Sequence, residues 1–272
     1  GVNVGIDGTG VLTYRDVVSY GRVRALGVVE VNGAVYDVQG SSFTIDSRTG
    51  SAADLDVGDV VLLQGKIDEA SSRGIAHSIV CDHVVQGRIE AIDIAAGSMR
   101  VLSQDVRLDA DTRFDSSISG GLATLAVGEA ISVSGFRDIQ GTVLATRVER
   151  QQAAQATFKT TGAITQVTRD TMRLQIGALS VDYAHAVFVP VNAASELASG
   201  VFVEVKGSVQ GANTIIASSV EIKRRQSPGT VNARADIEGY VTSLDAADTS
   251  RFRIDGLPVS LDGKDLPLVE LI

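Results

Sequence analysis

The stretch Val57-Gly58-Asp59-Val60-Val61-Leu62-Leu63-Gln64-Gly65 decides the fold, because the chain writes it three times. It returns as Val127-Gly128-Glu129-Ala130-Ile131-Ser132-Val133-Ser134-Gly135 and again as Ser199-Gly200-Val201-Phe202-Val203-Glu204-Val205-Lys206-Gly207. The closing glycines at 65, 135 and 207 stand 70 and 72 residues apart. A period of this length marks a repeated structural unit. Within the copy, Ile131 and Val133 alternate with Ser132 and Ser134, the period of two of a half-buried strand. Gly58, Gly128 and Gly200 open each copy as turn residues, and Gly65, Gly135 and Gly207 close it where a bend or bulge is expected.

Echoes on both sides extend the unit. Downstream, Ile75-Ala76-His77-Ser78-Ile79 matches Leu144-Ala145-Thr146-Arg147-Val148 and Ile216-Ala217-Ser218-Ser219-Val220. Upstream, a glycine leads into apolar alternation at Gly21-Arg22-Val23, Gly87-Arg88-Ile89, Gly162-Ala163-Ile164 and Gly239-Tyr240-Val241. Hairpin signals fill the gaps at Asn32-Gly33, Asp138-Ile139-Gln140-Gly141, Gln210-Gly211-Ala212-Asn213 and Asp255-Gly256. Short helical turns are expected at Ser51–Leu55, Leu122–Leu125 and Ala193–Ala198. Three strands, a short helical turn and two strands in roughly 70 residues describe an all-β fold of tandem, small, five-stranded OB-like barrels.

The expected organisation is an N-terminal extension at 1–20, modules at 21–84, 85–150 and 159–224, and a partial fourth module at 237–272. Apolar alternation stops at Gln151-Gln152-Ala153-Ala154-Gln155 and Gln226-Ser227-Pro228-Gly229-Thr230, which read as linkers between modules strung like beads with flush β interfaces. The extension holds strand-like pieces, Val2-Asn3-Val4-Gly5-Ile6 and Val11-Leu12-Thr13-Tyr14, and the fourth module lacks its closing pair. A strand donated into such an open edge would join copies of the chain head to tail.

Composition narrows the function. Hydrophobic residues make up 44% of the 272, enough for cores, while aromatics are 4% and Trp is absent, so the cores are built from Val, Ile, Leu and Ala. The net charge of −9 disfavours nucleic acid, whose binding releases counterions only against a basic face. The chief basic run, Lys223-Arg224-Arg225, reads as a solvated strand end. No stretch reaches the ~18 apolar residues of a membrane span. The chain opens at Gly1, in keeping with a cleaved export signal or a trimmed chain.

The residues that carry chemistry are sparse. His77, Cys81 and His83 would share one face of a straight strand, and His and Cys are ligands for soft or borderline metals. Only Cys81 and His83 are close enough to share an ion, and third and fourth ligands are missing from that strand, so they stand as weak candidates and no metal or cofactor is expected. Asp109-Ala110-Asp111-Thr112-Arg113-Phe114-Asp115 and Asp245-Ala246-Ala247-Asp248 read as Asp-capped turns rather than cation loops. Tyr14, Tyr20, Tyr36, Tyr183 and Tyr240 are scattered and read as barrel or linker lining. Three histidines without a neighbouring nucleophile yield no triad, so no catalytic residues and no enzyme activity are expected.

Gly5-Ile6-Asp7-Gly8-Thr9-Gly10, Val31-Asn32-Gly33, Leu55-Asp56-Val57-Gly58, Val133-Ser134-Gly135-Phe136-Arg137, Gly141-Thr142-Val143-Leu144-Ala145-Thr146-Arg147-Val148-Glu149 and Val181-Asp182-Tyr183 together resemble the bacterial domain of unknown function 5666. That family is one of tandem OB-like modules in exported, often lipid-anchored proteins, and it carries no activity to transfer. The resemblance implies a place outside the bacterial cytoplasm, at the cell surface or beyond, with periplasm or outer membrane as the alternative and a lipid anchor upstream of Gly1. The expected function is a non-enzymatic structural or adhesive protein of the cell exterior that assembles into a fibre by strand addition. The alternative is a cell-surface module binding a metal ion, peptide or glycan.

Overall fold

The computed structural model describes residues 13–152, 154, 156–225 and 233–260. Strand is their main regular structure, with helix confined to short 3-10 turns such as Ala52–Asp54, Gly121–Thr124 and Ala193–Glu196, each ahead of a fourth strand as the repeat predicts. The first barrel is formed by β1 (Tyr14–Ala25), β2 (Val29–Val31), β3 (Ala34–Asp37), β4 (Ser42–Ile45), β5 (Arg48–Gly50), β6 (Val60–Asp68) and β7 (Arg73–Cys81). β1 pairs with β2, β2 with β3, β3 in parallel with β7, β7 with β6, and β6 back with β1. That closed 1-2-3-5-4-1 order is the OB arrangement.

The second barrel repeats it with β8 (Val85–Asp93), β9 (Ser98–Val101), β10 (Gln104–Arg107), β11 (Arg113–Phe114), β12 (Ala130–Arg137) and β13 (Val143–Arg150). In the third, the first strand is split into β14 (Phe158–Ala163) and β15 (Gln166–Thr168). β16 (Arg173–Ile176), β17 (Leu179–Asp182), β18 (Val187–Val189), β19 (Phe202–Val209) and β20 (Thr214–Ile222) follow. After β21 (Arg234–Ile237), a three-stranded meander of β22 (Ser243–Leu244), β23 (Arg251–Ile254) and β24 (Leu257–Ser260) ends the described chain.

The repeated glycines have one physical reason each, three times over. Gly58, Gly128 and Gly200 have φ of 97°, 93° and 88°, a left-handed turn disfavoured for side chains, and each donates its N–H to the first strand, at Val23, Ile89 and Ile164. At Gly65, Gly135 and Gly207 the ladder to the fifth strand slips by one residue, leaving His77, Thr146 and Ser218 as bulge residues. A Cβ on any of these three glycines would lie 2.0–2.2 Å from a backbone carbonyl of the fifth strand.

Several expectations are corrected. Residues 14–20 are the leading half of β1 rather than an extension, while 1–12 lie outside the described residues. The linker readings fall largely on residues outside the described set. Barrels 2 and 3 meet in a β interface: β14 hydrogen-bonds to β8 with Lys159 opposite Gln86 and Thr160 opposite Val85, making one 13-stranded sheet. One hydrophobic core, from Val85 and Val133 through Ile164 to Val220, runs through both. In the partial fourth module, Gly239-Tyr240-Val241 is not a strand, and residues 261–272 lie outside the described set.

The chain divides into two units, residues 1–82 with 228–238, and residues 83–227 with 239–272. The first unit has its own core, including Val17, Tyr36, Leu63, Ile79 and Cys81.

Candidate functional site

In this OB-type barrel the leading half of the first strand has one neighbour, the fourth strand, and a free edge opposite. An edge of unpaired N–H and C=O groups accepts another strand. In barrel 1 that edge takes β21 in parallel register, Val17 opposite Arg234 through Tyr20 opposite Ile237. In barrels 2 and 3 the leading halves, β8 and β14, take each other. The same edge therefore takes an added strand in all three barrels.

Barrel 1 reads its added strand with side chains as well as backbone. The Asn32 amide, held by the Asn32-Gly33 turn with φ of 52° and 75°, donates to Ser19 Oγ at 2.9 Å and to the carbonyls of Tyr20 and Asp236 at 3.0 Å. It reaches them across Gly21, where a Cβ would lie 2.7 Å from Asn32 Oδ1. Arg22 Nε donates to Glu238 Oε1 at 2.7 Å, the Arg22 N–H donates to the other carboxylate oxygen, and the Glu238 N–H reaches the Tyr20 carbonyl. Asp236 accepts from Arg234 Nε at 2.9 Å, while its second oxygen is buried with no hydrogen-bond partner. Burial, with the nearby Asp236 charge second, pushes the Tyr36 hydroxyl up to about 12.

The joint of barrels 2 and 3 is built around buried charge. Arg137, on β12, donates from Nε to the Thr161 carbonyl, from Nη1 to Gln104 and the Gly141 carbonyl, and from Nη2 to Thr160 Oγ1, all within 2.7–2.9 Å. Burial lowers its pKa to about 10, which leaves it a cation at neutral pH. Lys159 and Glu204, each with a side chain 1% exposed, pair at 3.2 Å, and Lys206 and Lys223 stand within 3.5 Å of the same carboxylate. Burial alone would raise Glu204, but the ammonium groups of Lys159, Lys223 and Lys206 hold it below the usual carboxylate range. The Asp255-Gly256 turn of the meander seats here: Asp255 accepts the Arg137 N–H at 3.2 Å, and Gly256 lies against the Phe202 ring.

A cleft of about 210 Å³ opens at this joint, lined by Gln104, Arg137, Asp138, Phe202, Thr242 and Arg253 among others. The Arg137 donors within it are turned to protein acceptors. An anion would therefore find a clamp already engaged, beside the carboxylate of Asp138.

The residues singled out from sequence are dispersed. Cys81 is buried in the barrel 1 core, whereas His77 is exposed on the bulge, so the slip in the ladder breaks the same-face reading. His83 lies beyond the end of β7, with Nε2 4.0 Å from Glu149 of barrel 2. Asp109 and Asp245 cap turns through the N–H groups of Asp111 and Ala247. The basic run is solvated only at Arg224, which is exposed and pairs with Glu196 at the surface, whereas Lys223 pairs with Glu204 and Arg225 stacks 4.9 Å over Phe202. Tyr20, Tyr36 and Tyr183 are buried, and Tyr14 is exposed. Sequence reasoning missed Arg22, Asn32, Arg137, Lys159 and Glu204. A Lys and a Glu on strands of the apolar repeat were the available signal.

These features define the class: a tandem array of OB-type barrels, the second and third joined through their first strands. Residues 86–149 and 161–221 each match the family model described as Domain of unknown function (DUF5666), so the second and third barrels are tandem members of that family. The first barrel has the same strand order and lies outside the matched segments. Among solved structures, Drosophila Unr CSD456 aligns over 78% of this chain and 97% of that chain, at 13% identity and a TM-score of 0.25. No curated protein matches the chain.

Proposed function

We propose that the chain is a non-enzymatic structural protein of the bacterial cell exterior, whose barrels are built to be joined by strand addition. The supporting observation is the shared use of the first-strand edge, by β21 on β1 and by β14 on β8. The charges buried in barrels 2 and 3 support the same reading. Arg137, Lys159 and Glu204 face protein partners rather than an open site, which is how a scaffold uses ionic groups. The location follows from the exported character implied by the family resemblance. No helix among the described residues is long and apolar enough to cross a membrane.

The test is immunogold labelling of intact and permeabilised cells, with electron microscopy of the purified native protein. Label on intact cells and ordered assemblies are expected. Label confined to permeabilised cells, with cytoplasmic fractionation and monomeric particles, would overturn the reading.

One observation favours a second reading, a surface module binding a small glycan. The cleft by Phe202 carries Thr165, Thr242 and Ser243 on its wall, hydroxyl oxygens that can accept from a sugar. Saccharide titration followed by amide shifts at Thr242 and Ser243 decides it.

A further inference from the structure

We infer that barrel 1 is a strand acceptor for a second copy of this chain, the donated strand being residues 234–238. The inference rests on the reading of the barrels as joined by strand addition, and it names the donor and the acceptor.

The acceptor is specific. Backbone pairing along Val17–Tyr20 would take any extended strand, but the Arg22–Glu238 ion pair and the Asn32 bond to the Asp236 carbonyl select this one. The side chains of Arg22 and Glu238 are 12% and 27% exposed, so their charges are partly shielded from water and reversal of either is felt. The donor is remote in sequence, with 216 positions between Arg22 and Glu238. Residues on both sides of segment 228–238 belong to the other unit. In sequence the strand therefore lies far from the barrel that it completes. Its contacts are identical whichever copy supplies it, which is the condition for exchange between chains.

The docked strand is also held less completely than a barrel strand. It is four residues long, pairs only with β1 among the described strands, and buries Asp236 Oδ2 without a hydrogen-bond partner among the described residues. A buried acceptor without a partner opposes docking. Within one chain the strand benefits from a high effective concentration, so a dilute copy fills its own edge. Crowding of copies on a surface favours exchange. Continued from copy to copy, a contact between different surfaces produces a chain of protomers, and reciprocal exchange closes a dimer.

Charge reversal separates the two modes. Arg22→Glu sets like charges against Glu238 within one chain, and Glu238→Arg sets like charges against Arg22. In an equimolar mixture of the two full-length variants, every exchange between unlike copies restores an opposite-charge pair. Sedimentation velocity is expected to show each variant alone as a monomer, and the mixture as dimers or longer assemblies. The chain carrying both reversals is expected to match the parent, which ties the effect to the pair. A mixture that sediments as the sum of its parts, with both variants folded by circular dichroism, overturns the inference and leaves the cell-surface reading to its own test. Should either variant unfold, Val18→Cys is mixed with Ala235→Cys, residues opposite each other in the β1–β21 register. A disulfide-linked dimer that forms in the mixture and in neither variant alone supports exchange, and its absence overturns it.

Discussion

Gly135 lies so close to the carbonyl of Leu144 that a Cβ on residue 135 would stand 2.2 Å from that oxygen. The approach belongs to the bulge at which β12 and β13 slip register, and barrels 1 and 3 build it again at Gly65 against Ile75 and at Gly207 against Ile216. A backbone oxygen cannot rotate away as a side chain does. Gly135→Ala is therefore expected to destabilise by at least about 1–3 kcal/mol, the usual cost of overpacking. Gly211→Ala is the control: its φ of +64° is left-handed, but nothing lies within 4 Å of its added Cβ. That change should cost about 1 kcal/mol, the conformational penalty alone. Thermal unfolding of the two variants checks the order, and equal melting would remove the close approach from the argument.

Glu204 ties folding to acid. Its carboxyl titrates below the unfolded value of about 4.3, so the unfolded chain binds the proton first as pH falls. The stabilisation is present in full above the unfolded value and is lost as pH drops through the lower folded one. Urea midpoints of the parent should fall through that acid range, and the Glu204→Gln variant should lose this part of the slope. At neutral pH the same substitution takes the nearest carboxylate from the buried ammonium of Lys159, a loss of about 3–5 kcal/mol. Combining it with Lys159→Met should recover much of that, since breaking a buried pair costs more than removing both partners.

Arg137→Lys keeps the charge and loses the fork. A lysine cannot reach the carbonyls of Thr161 and Gly141 together with Gln104 and Thr160, so buried acceptors are left without donors. A loss on the order of 3 kcal/mol is expected from buried groups that each cost about 1–3 kcal/mol. Hydrogen exchange gives a local readout at the Thr161 amide, which donates to the Val84 carbonyl across the joint of barrels 2 and 3. Faster exchange there than in the β12–β13 ladder is the expected result. Unchanged protection would mean that the guanidinium is not what holds the joint.

Asn32→Gly preserves the left-handed turn at φ 52° and removes the amide that bridges Ser19, Tyr20 and Asp236. Loss of the bridge should weaken docking of β21 by about 1–3 kcal/mol. Protection of the Glu238 amide, bonded to the Tyr20 carbonyl, is expected to fall while the β1–β6 ladder keeps its own. If both fall together, Asn32 supports the barrel rather than the added strand.

Some of this was legible in the repeat and some was not. The barrels, the hairpins and the 3-10 turns follow from glycines at fixed spacing, because a left-handed turn or a bulge admits few other residues. The leading half of β1 was hidden because Val17, Val18, Ser19 and Tyr20 are all buried, which erases the alternation by which a half-buried strand is recognised. The same-face placement of His77 and Cys81 failed at the bulge, which adds one residue and inverts the pattern beyond it. Neither His77 nor Cys81 carried a signal of that slip in itself. The signal was Gly65 on the partner strand.

By itself, the sequence determined the barrel: a period near 70 residues, apolar alternation and glycines where backbone geometry excludes side chains. These are local constraints, and each copy states them independently. Only the tertiary structure decided how the edges are filled, β8 by β14 and β1 by β21. Backbone hydrogen bonding is blind to residue type, so an edge accepts a strand without leaving a pattern in either segment. The groups that make each pairing specific, Arg22 with Glu238 and Arg137 with the Thr161 carbonyl, lie 216 and 24 positions apart and meet only when the barrels have closed.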